Sequence, residues 1–196
     1  MGKADIIKAV KANKPNELPL PSLDFPSSNG QSLPSLFEER LLAGGGEFFF
    51  AKSRVEAETY IQSRIKAGEY KYIAGALKSL NTFDLASIQD PHELELLNLS
   101  VFEGELGVAE NGAIWLSEDR LIHRAAPFIT QHLILLIRED QLVDKMHAAY
   151  AALRYHDYGH GVFIAGPSKT ADIEQSLVVG AHGPKSLLVV MLPTEA

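Results

Sequence analysis

The chain has 196 residues, of which 46% are apolar and 22% are charged, and this is enough for one α/β domain with a sizeable core. Its net charge of −7 argues against nucleic acid or an anionic membrane surface as a partner. The absence of cysteine excludes disulfides, catalytic thiols and a cysteine-ligated iron–sulfur cluster held by this chain. Because the sequence has neither an apolar run of membrane-spanning length nor an apolar signal core at its start, we expect a soluble cytoplasmic protein.

The first 35 residues differ in character from the rest of the chain. Ile6 and Ile7 alternate with lysines at helical spacing, which predicts a short amphipathic helix ended by Pro15. A proline-rich stretch follows and disfavours regular structure. We therefore expect residues 1–35 to form an arm and residues 36–196 to form the α/β domain.

Strand and helix patterns alternate along the domain. Amphipathic spacing predicts helices at 33–42, between Ser53 and Gly68, and at 141–154. Short apolar runs predict strands at 47–51, 70–74, 94–102, 114–116, 133–137, 162–165 and 187–192. The run 133–137 is the most apolar and is predicted to be central in the sheet. This order predicts an α/β fold with a mainly parallel sheet flanked by helices.

A glycine-punctuated loop follows the strand predicted at 162–165. Gly166 ends that strand, and the hydroxyls of Ser168 and Thr170 can cap a following turn or helix start, with Asp172 close to that start. Backbone N–H groups at a helix start, together with Lys169, can bind a carboxylate or a phosphate. The alternative is a strand–helix junction that is only capped. The loop has no P-loop or dinucleotide-binding pattern.

Two segments carry a resemblance to a known family. The first is G-P-S-K-T-A-D-I-E-Q at 166–175, followed by V-V-G-A-H-G-P at 178–184. The second is G-V-A-E-N-G-A-I-W-L at 107–116. Together they resemble the signatures of the lactate-utilisation protein C (LutC, YkgG) family and its LUD domain, over about residues 40–192. Lys169 stands where the family usually has arginine.

The resemblance implies a fold like that of the coenzyme A transferase, ribose-5-phosphate isomerase and glucosamine-6-phosphate deaminase superfamily (NagB/RpiA/CoA transferase-like). It also implies lactate catabolism, the oxidation of L-lactate to pyruvate beside iron–sulfur partner proteins. Since this chain has no cysteine, a partner must hold the clusters, and we expect no cofactor of its own. The first functional hypothesis is therefore an accessory or regulatory subunit of such a system.

The second hypothesis is an enzyme that acts on a small carboxylate, a coenzyme A ester or a sugar phosphate. Coenzyme A transferases carry their nucleophilic glutamate in a context similar to Glu110-Asn111-Gly112, where the carboxylate can form an acyl or thioester intermediate. The alternative is an exposed turn glutamate. His182 lies in the family motif and is the candidate acid–base residue. We expect Glu110, the 166–172 loop and His182 to converge on one polar crevice that binds a small anion.

Histidines near the first of these two segments raise the question of a metal. His156, Asp157 and His160, with His182, supply residue types that zinc and non-haem iron accept. Their spacing does not fit H-E-x-x-H, and a polar loop is the alternative. We predict no metal ligand.

Overall fold

The computed structural model describes residues 2–15, 18–19, 21, 30–153, 159–173 and 176–194. Its α-helices are α1 Lys3–Ala12, α2 Leu33–Ala43, α3 Arg54–Gly68, α4 Ala126–Ile129 and α5 Met146–Ala152. Its strands are β1 Glu47–Phe50, β2 Ile73–Gly75, β3 Leu99–Glu103, β4 Leu106–Val108, β5 Ala113–Ser117, β6 His132–Arg138, β7 Leu142–Val143, β8 Gly161–Ile164, β9 Lys169–Ile173, β10 Ser176–Val179 and β11 Ser186–Leu192.

A five-stranded parallel sheet forms the centre of the domain. Its strand order is β1-β11-β6-β3-β2, and every neighbouring pair runs parallel. The predicted α/β fold with a parallel sheet is confirmed, and β6 is the central strand, as expected. A strand that is buried on both faces needs apolar side chains on both, which explains its unbroken apolar run.

Helices cover both faces of this sheet. On one face Leu135 of β6 belongs to a core cluster that contains Phe37 of α2. On the other face Leu136 belongs to a cluster that contains Ile61 of α3. All four side chains are buried, and the removal of each from water stabilises the fold by roughly 1.5–3 kcal/mol.

A second, smaller sheet lies on the α2 side, with the order β7-β4-β5-β8. Strand β4 runs parallel to β7, whereas the other pairs are antiparallel. Ile114 of β5 enters the α2-side core, and Trp115 on the opposite face packs in a cluster with Ala149 of α5. The sequence did not predict this sheet. The strand predicted as buried at 162–165 is β8, which is half-buried at the edge of the small sheet.

The helix predicted at 141–154 is wrong in its first part. The Gln141 side chain accepts a 2.8 Å hydrogen bond from the Arg138 N–H, within a short 3-10 turn. The chain then forms β7 beside β4, and α5 begins only at Met146. Leu142 and Val143 therefore pair with β4, although helical spacing alone assigned them to the helix.

Residues 169–173 form a strand, so of the two predicted possibilities after Ser168, a turn or a helix start, the helix start is wrong. The chain enters β9, which pairs antiparallel with β10. The Ser168 N–H donates to the Pro184 carbonyl at 2.9 Å, and its carbonyl accepts from the Gly180 N–H at 2.9 Å. These two bonds tie the loop to the segment before β11.

The predicted N-terminal helix is present as α1. Its Ile6, Ile7 and Val10 side chains are exposed. Among the helices of the described ranges, none combines the length and the hydropathy that a membrane span requires.

Candidate functional site

The Glu110-Asn111-Gly112 segment forms the tight turn between β4 and β5. Gly112 has φ +68°, and its N–H donates to the Val108 carbonyl at 2.9 Å. The Asn111 Oδ1 atom accepts a 3.0 Å hydrogen bond from the Ala113 N–H. Asparagine followed by glycine supplies both the side-chain acceptor and the positive φ that this turn needs.

Glu110 is exposed. Its main chain and its side chain both form hydrogen bonds with residues at the start of α5. Its N–H donates to the Asp144 carbonyl at 3.0 Å. Its Oε1 atom accepts a 2.7 Å hydrogen bond from the Met146 N–H, the first residue of α5. A carboxylate at a helix N-terminus is stabilised by the unpaired N–H groups and the helix dipole. Glu110 therefore holds α5 against the small sheet.

The 166–169 loop and the β4–β5 turn pack against the same last turn of α2. The Lys169 Nζ atom donates to the Gly44 carbonyl. A Cβ on Gly166 would lie 2.7 Å from the Gly44 oxygen, and a Cβ on Gly112 would lie 2.8 Å from the Leu41 nitrogen. The structure therefore brings together two of the three predicted segments.

The pairing of β5 with β8 explains this meeting. Ile114 lies opposite Ile164 in the antiparallel ladder. The turn before β5 and the loop after β8 consequently come to the same end of the small sheet. Within β9, Thr170 is paired with Val178, and Asp172 lies in the same strand.

His182 lies next to this region but lines a cavity of its own. A Cβ on Gly183 would lie 2.9 Å from the Ser168 Cβ. The cavity, of about 360 Å³, is lined by Phe128, Ile129, Gln131, Gly180, Ala181, His182, Gly183 and Lys185. Neither Glu110 nor Lys169 lines it. The loop precedes β11, so His182 lies at the amino ends of the parallel strands.

Of the residues considered above as metal ligands, His160 and His182 are described in the structure. His156 and Asp157 lie outside the described residues. Within the ranges that are described, no group of three or more histidine, cysteine, aspartate or glutamate side chains is placed to hold a metal ion.

The carboxyl ends of β3, β6 and β11 enclose a crevice that no sequence motif predicts. Its volume is about 150 Å³, and it is lined by Arg54, Glu103, Gly104, Arg120, Leu136, Ile137, Arg138, Gln141 and Leu192. We name it the carboxyl-edge crevice. In open α/β sheets, ligands bind outside the carboxyl ends of the strands. The position of the crevice therefore makes it a candidate ligand site.

Glu103 joins two of the guanidinium groups in this crevice. Its Oε1 atom lies 2.6 Å from Arg54 Nη2, and its Oε2 atom lies 3.9 Å from Arg120 Nη1. Arg54 also contacts Glu58 at 3.0 Å, and Arg120 contacts Glu105 at 3.6 Å. Burial lowers the pKa of Arg54, but the hydrogen bonds to Glu103 and Glu58 and the charges of these two carboxylates together outweigh burial and hold that pKa above its ordinary value.

No sequence motif marks this crevice, because its residues come from separate elements. Arg54 opens α3, Arg120 ends a 3-10 turn and Arg138 ends β6. The available signal is positional. An arginine directly after a predicted strand or its following cap lies at the carboxyl edge of a parallel sheet, where ligands are expected.

Comparison with known proteins identifies the class to which this α/β domain belongs. The LUD domain family matches residues 35–192, so the chain belongs to the LUD domain family. A solved structure titled as a DUF162 family protein from Deinococcus radiodurans is similar with a TM-score of 0.60 and 20% identity, covering 82% of this chain and 96% of that chain. This likeness shows the fold.

Curated relatives specify the family further. The lactate utilization protein C of Anoxybacillus flavithermus is 26% identical over 169 residues, covering 86% of this chain and 73% of that protein. The protein of the same name from Oceanobacillus iheyensis is 26% identical over 184 residues, with the same coverage. The Bacillus subtilis protein is 30% identical over 105 residues, covering 50% of this chain and 43% of that protein. The chain is a distant homologue of lactate utilization protein C over most of its length.

Proposed function

We propose that the chain is an accessory or regulatory subunit of an iron–sulfur system that oxidises L-lactate to pyruvate in the cytoplasm. The observation that carries the proposal is the similarity to lactate utilization protein C across 86% of the chain. The oxidation removes two electrons and two protons from lactate. Because the sequence offers no cysteine to hold a cluster, those electrons pass through a cysteine-bearing partner.

Co-purification under anaerobic conditions tests this role. The full chain, carrying an affinity tag, is mixed at micromolar concentration with the iron–sulfur lactate-utilisation proteins of the same organism. We expect a stable complex whose lactate oxidation exceeds that of the iron–sulfur proteins alone. A chain that neither binds them nor changes their rate would overturn the proposal.

The arm of residues 1–35 is part of the same proposal. We place it outside the core of the 36–196 domain, apart from residues 33–35, which begin α2, and we expect it to contact a partner. The exposed Ile6, Ile7 and Val10 of α1 support this placement, because burial of apolar surface favours association. Removal of residues 1–13 is expected to weaken the complex while the unfolding temperature of the remaining chain stays unchanged.

An enzyme acting on a small carboxylate, a coenzyme A ester or a sugar phosphate is the second candidate, on a fold resembling the coenzyme A transferase superfamily. It is supported by the exposed carboxylate of Glu110, which lies in a Glu-Asn-Gly turn near the Lys169 loop. In this candidate Glu110 or His182 moves a proton, or Glu110 forms the covalent intermediate, and Lys169 binds the anion.

Turnover by the isolated chain separates the two candidates. Each substrate class is assayed with the parent chain and with Glu110→Gln and Lys169→Ala. The second candidate requires turnover that Glu110→Gln abolishes and an affinity for the anion that Lys169→Ala reduces. The accessory role alone predicts no turnover by the isolated chain.

A further inference from the structure

The lining of the carboxyl-edge crevice differs in charge from the rest of the molecule. Its lining contains three arginines, Arg54, Arg120 and Arg138, and one carboxylate, that of Glu103. The chain as a whole carries a net charge of −7. The lining itself therefore contains more guanidinium groups than carboxylates, and Glu58, Glu105 and Asp140 outside the lining pair with Arg54, Arg120 and Arg138 in turn.

The crevice also has three apolar lining residues, although most of its accessible lining is polar. Leu136, Ile137 and Leu192 line it and are all buried. A short carbon skeleton can bury apolar surface against the small exposed part of these side chains, whereas an inorganic anion has no such surface to bury. At about 150 Å³, the space suits a small organic acid.

We propose that the carboxyl-edge crevice binds a small organic carboxylate through the guanidinium groups of Arg54 and Arg120. Paired N–H donors of a guanidinium match the two oxygens of a carboxylate. In the free protein the Glu103 carboxylate lies 2.6 Å from one of these groups and 3.9 Å from the other. Glu103 is thus an internal competitor whose place the carboxylate of the ligand takes.

This inference goes beyond the accessory role and does not depend on it. A ligand site in the isolated chain exists whether or not the chain joins an iron–sulfur complex. Co-purification tests the complex, and ligand titration of the isolated full chain tests the crevice. Failure of either experiment leaves the other interpretable.

The experiment measures dissociation constants by ligand-observed NMR titration. L-lactate and pyruvate are the carboxylate probes, and L-lactamide is the neutral counterpart of lactate. Inorganic phosphate is the anion without a carbon skeleton. We expect saturable binding of a carboxylate probe and none of L-lactamide. Failure of both carboxylate probes to bind, or tighter binding of phosphate, would overturn the proposal.

Arg64→Gln is the matched control for Arg54→Gln and Arg120→Gln. Arg64 lies on the same helix as Arg54 and pairs with a strand carboxylate, Glu47, at 2.8 Å, but outside the crevice lining. Each crevice variant is expected to weaken carboxylate binding about tenfold or more, whereas the control leaves it unchanged. Equal effects in all three variants would contradict a site in the crevice.

Glu103→Gln distinguishes a ligand site from a structural ion-pair network. Because the glutamine is uncharged, it no longer competes for the guanidinium groups, and carboxylate binding is expected to tighten several-fold. In a purely structural network the same variant lowers stability and creates no tighter binding. Urea unfolding of every variant shows that the titrated proteins are folded. Unchanged or weakened binding in folded Glu103→Gln would overturn the role of Glu103 as a competitor.

Discussion

The Met146 N–H donates a 2.7 Å hydrogen bond to the Glu110 carboxylate, so a residue of the β4–β5 turn caps α5. This contact joins the small sheet to the helix that covers its outer face. Residues that resemble a catalytic motif thereby also have a definite structural role. The two roles make different predictions for substitutions at the same position.

Glu110→Ala removes the acceptor and is expected to lower the free energy of unfolding by about 1 kcal/mol. Glu110→Gln keeps an amide oxygen for the Met146 N–H and should lose less. Urea unfolding of both variants measures the difference. An alanine variant as stable as the parent chain would show that the cap contributes nothing to stability.

Gly112→Ala is expected to destabilise the protein by about 2 kcal/mol or more, for two reasons. Gly112 has φ +68°, which strains any other residue, and the added methyl group would lie 2.8 Å from the Leu41 nitrogen. Gly30→Ala is the matched control, because Gly30 has φ +79° and a methyl group added there would meet no atom within 4 Å. The control should cost only about 1 kcal/mol from backbone strain. Similar losses in both variants would argue against the packing contact with α2.

His132 predicts a pH dependence of stability. Burial, followed by the charge of Lys185, lowers the pKa of its imidazole below the ordinary 6.5. The unfolded chain therefore binds a proton at this position at a higher pH than the folded chain. The free energy of unfolding should fall as the pH drops from about 6.5 through the lowered pKa.

Urea unfolding between pH 7.5 and about 5 measures this slope at constant ionic strength. His132→Asn removes the imidazole, although it leaves a polar group near Ser186, whose Oγ lies 2.8 Å from the His132 Nδ1. The variant should lose less stability than the parent chain on acidification. Equal losses in both proteins would assign the pH dependence to other groups.

The purified chain should be colourless and should contain no stoichiometric iron–sulfur cluster. The reason is that no cysteine is present to ligate one. Visible absorption, with iron and sulfide assays, checks this after anaerobic purification. Iron and sulfide in stoichiometric amounts would require ligands of another type. They would contradict the proposal that the partner proteins hold the clusters.

The large sheet was predictable because its strands carry an unambiguous pattern. Residues of β6 and β11 are apolar on both faces, as burial between two layers requires. The small sheet lacked such a pattern. Leu142 and Ala149 have helical spacing, yet one lies in β7 and the other in α5. Leu142 forms a strand because it pairs with β4, and this tertiary contact cannot be predicted from the local spacing of apolar residues.

The candidate sites show the same division. The turn at Glu110-Asn111-Gly112 was predictable, because Asn-Gly has a defined backbone preference. The carboxyl-edge crevice was not, since Arg54, Arg120 and Arg138 come close only after β3, β6 and β11 assemble. The turn can be predicted from residues that are adjacent in the sequence, whereas the crevice depends on the order of the strands in the sheet.

The position of β11 in the large sheet has a consequence for folding kinetics. This strand follows every other described strand along the chain, yet it lies between β1 and β6, with Leu188 flanked by Glu47 and Ile134. Until β11 is synthesised, β1 has no neighbour among the described strands of the sheet, and its edge and that of β6 are open. Closing such distant pairs costs loop entropy before any contact forms, which slows folding. During translation these unpaired edges are where a nascent chain would aggregate or recruit a chaperone.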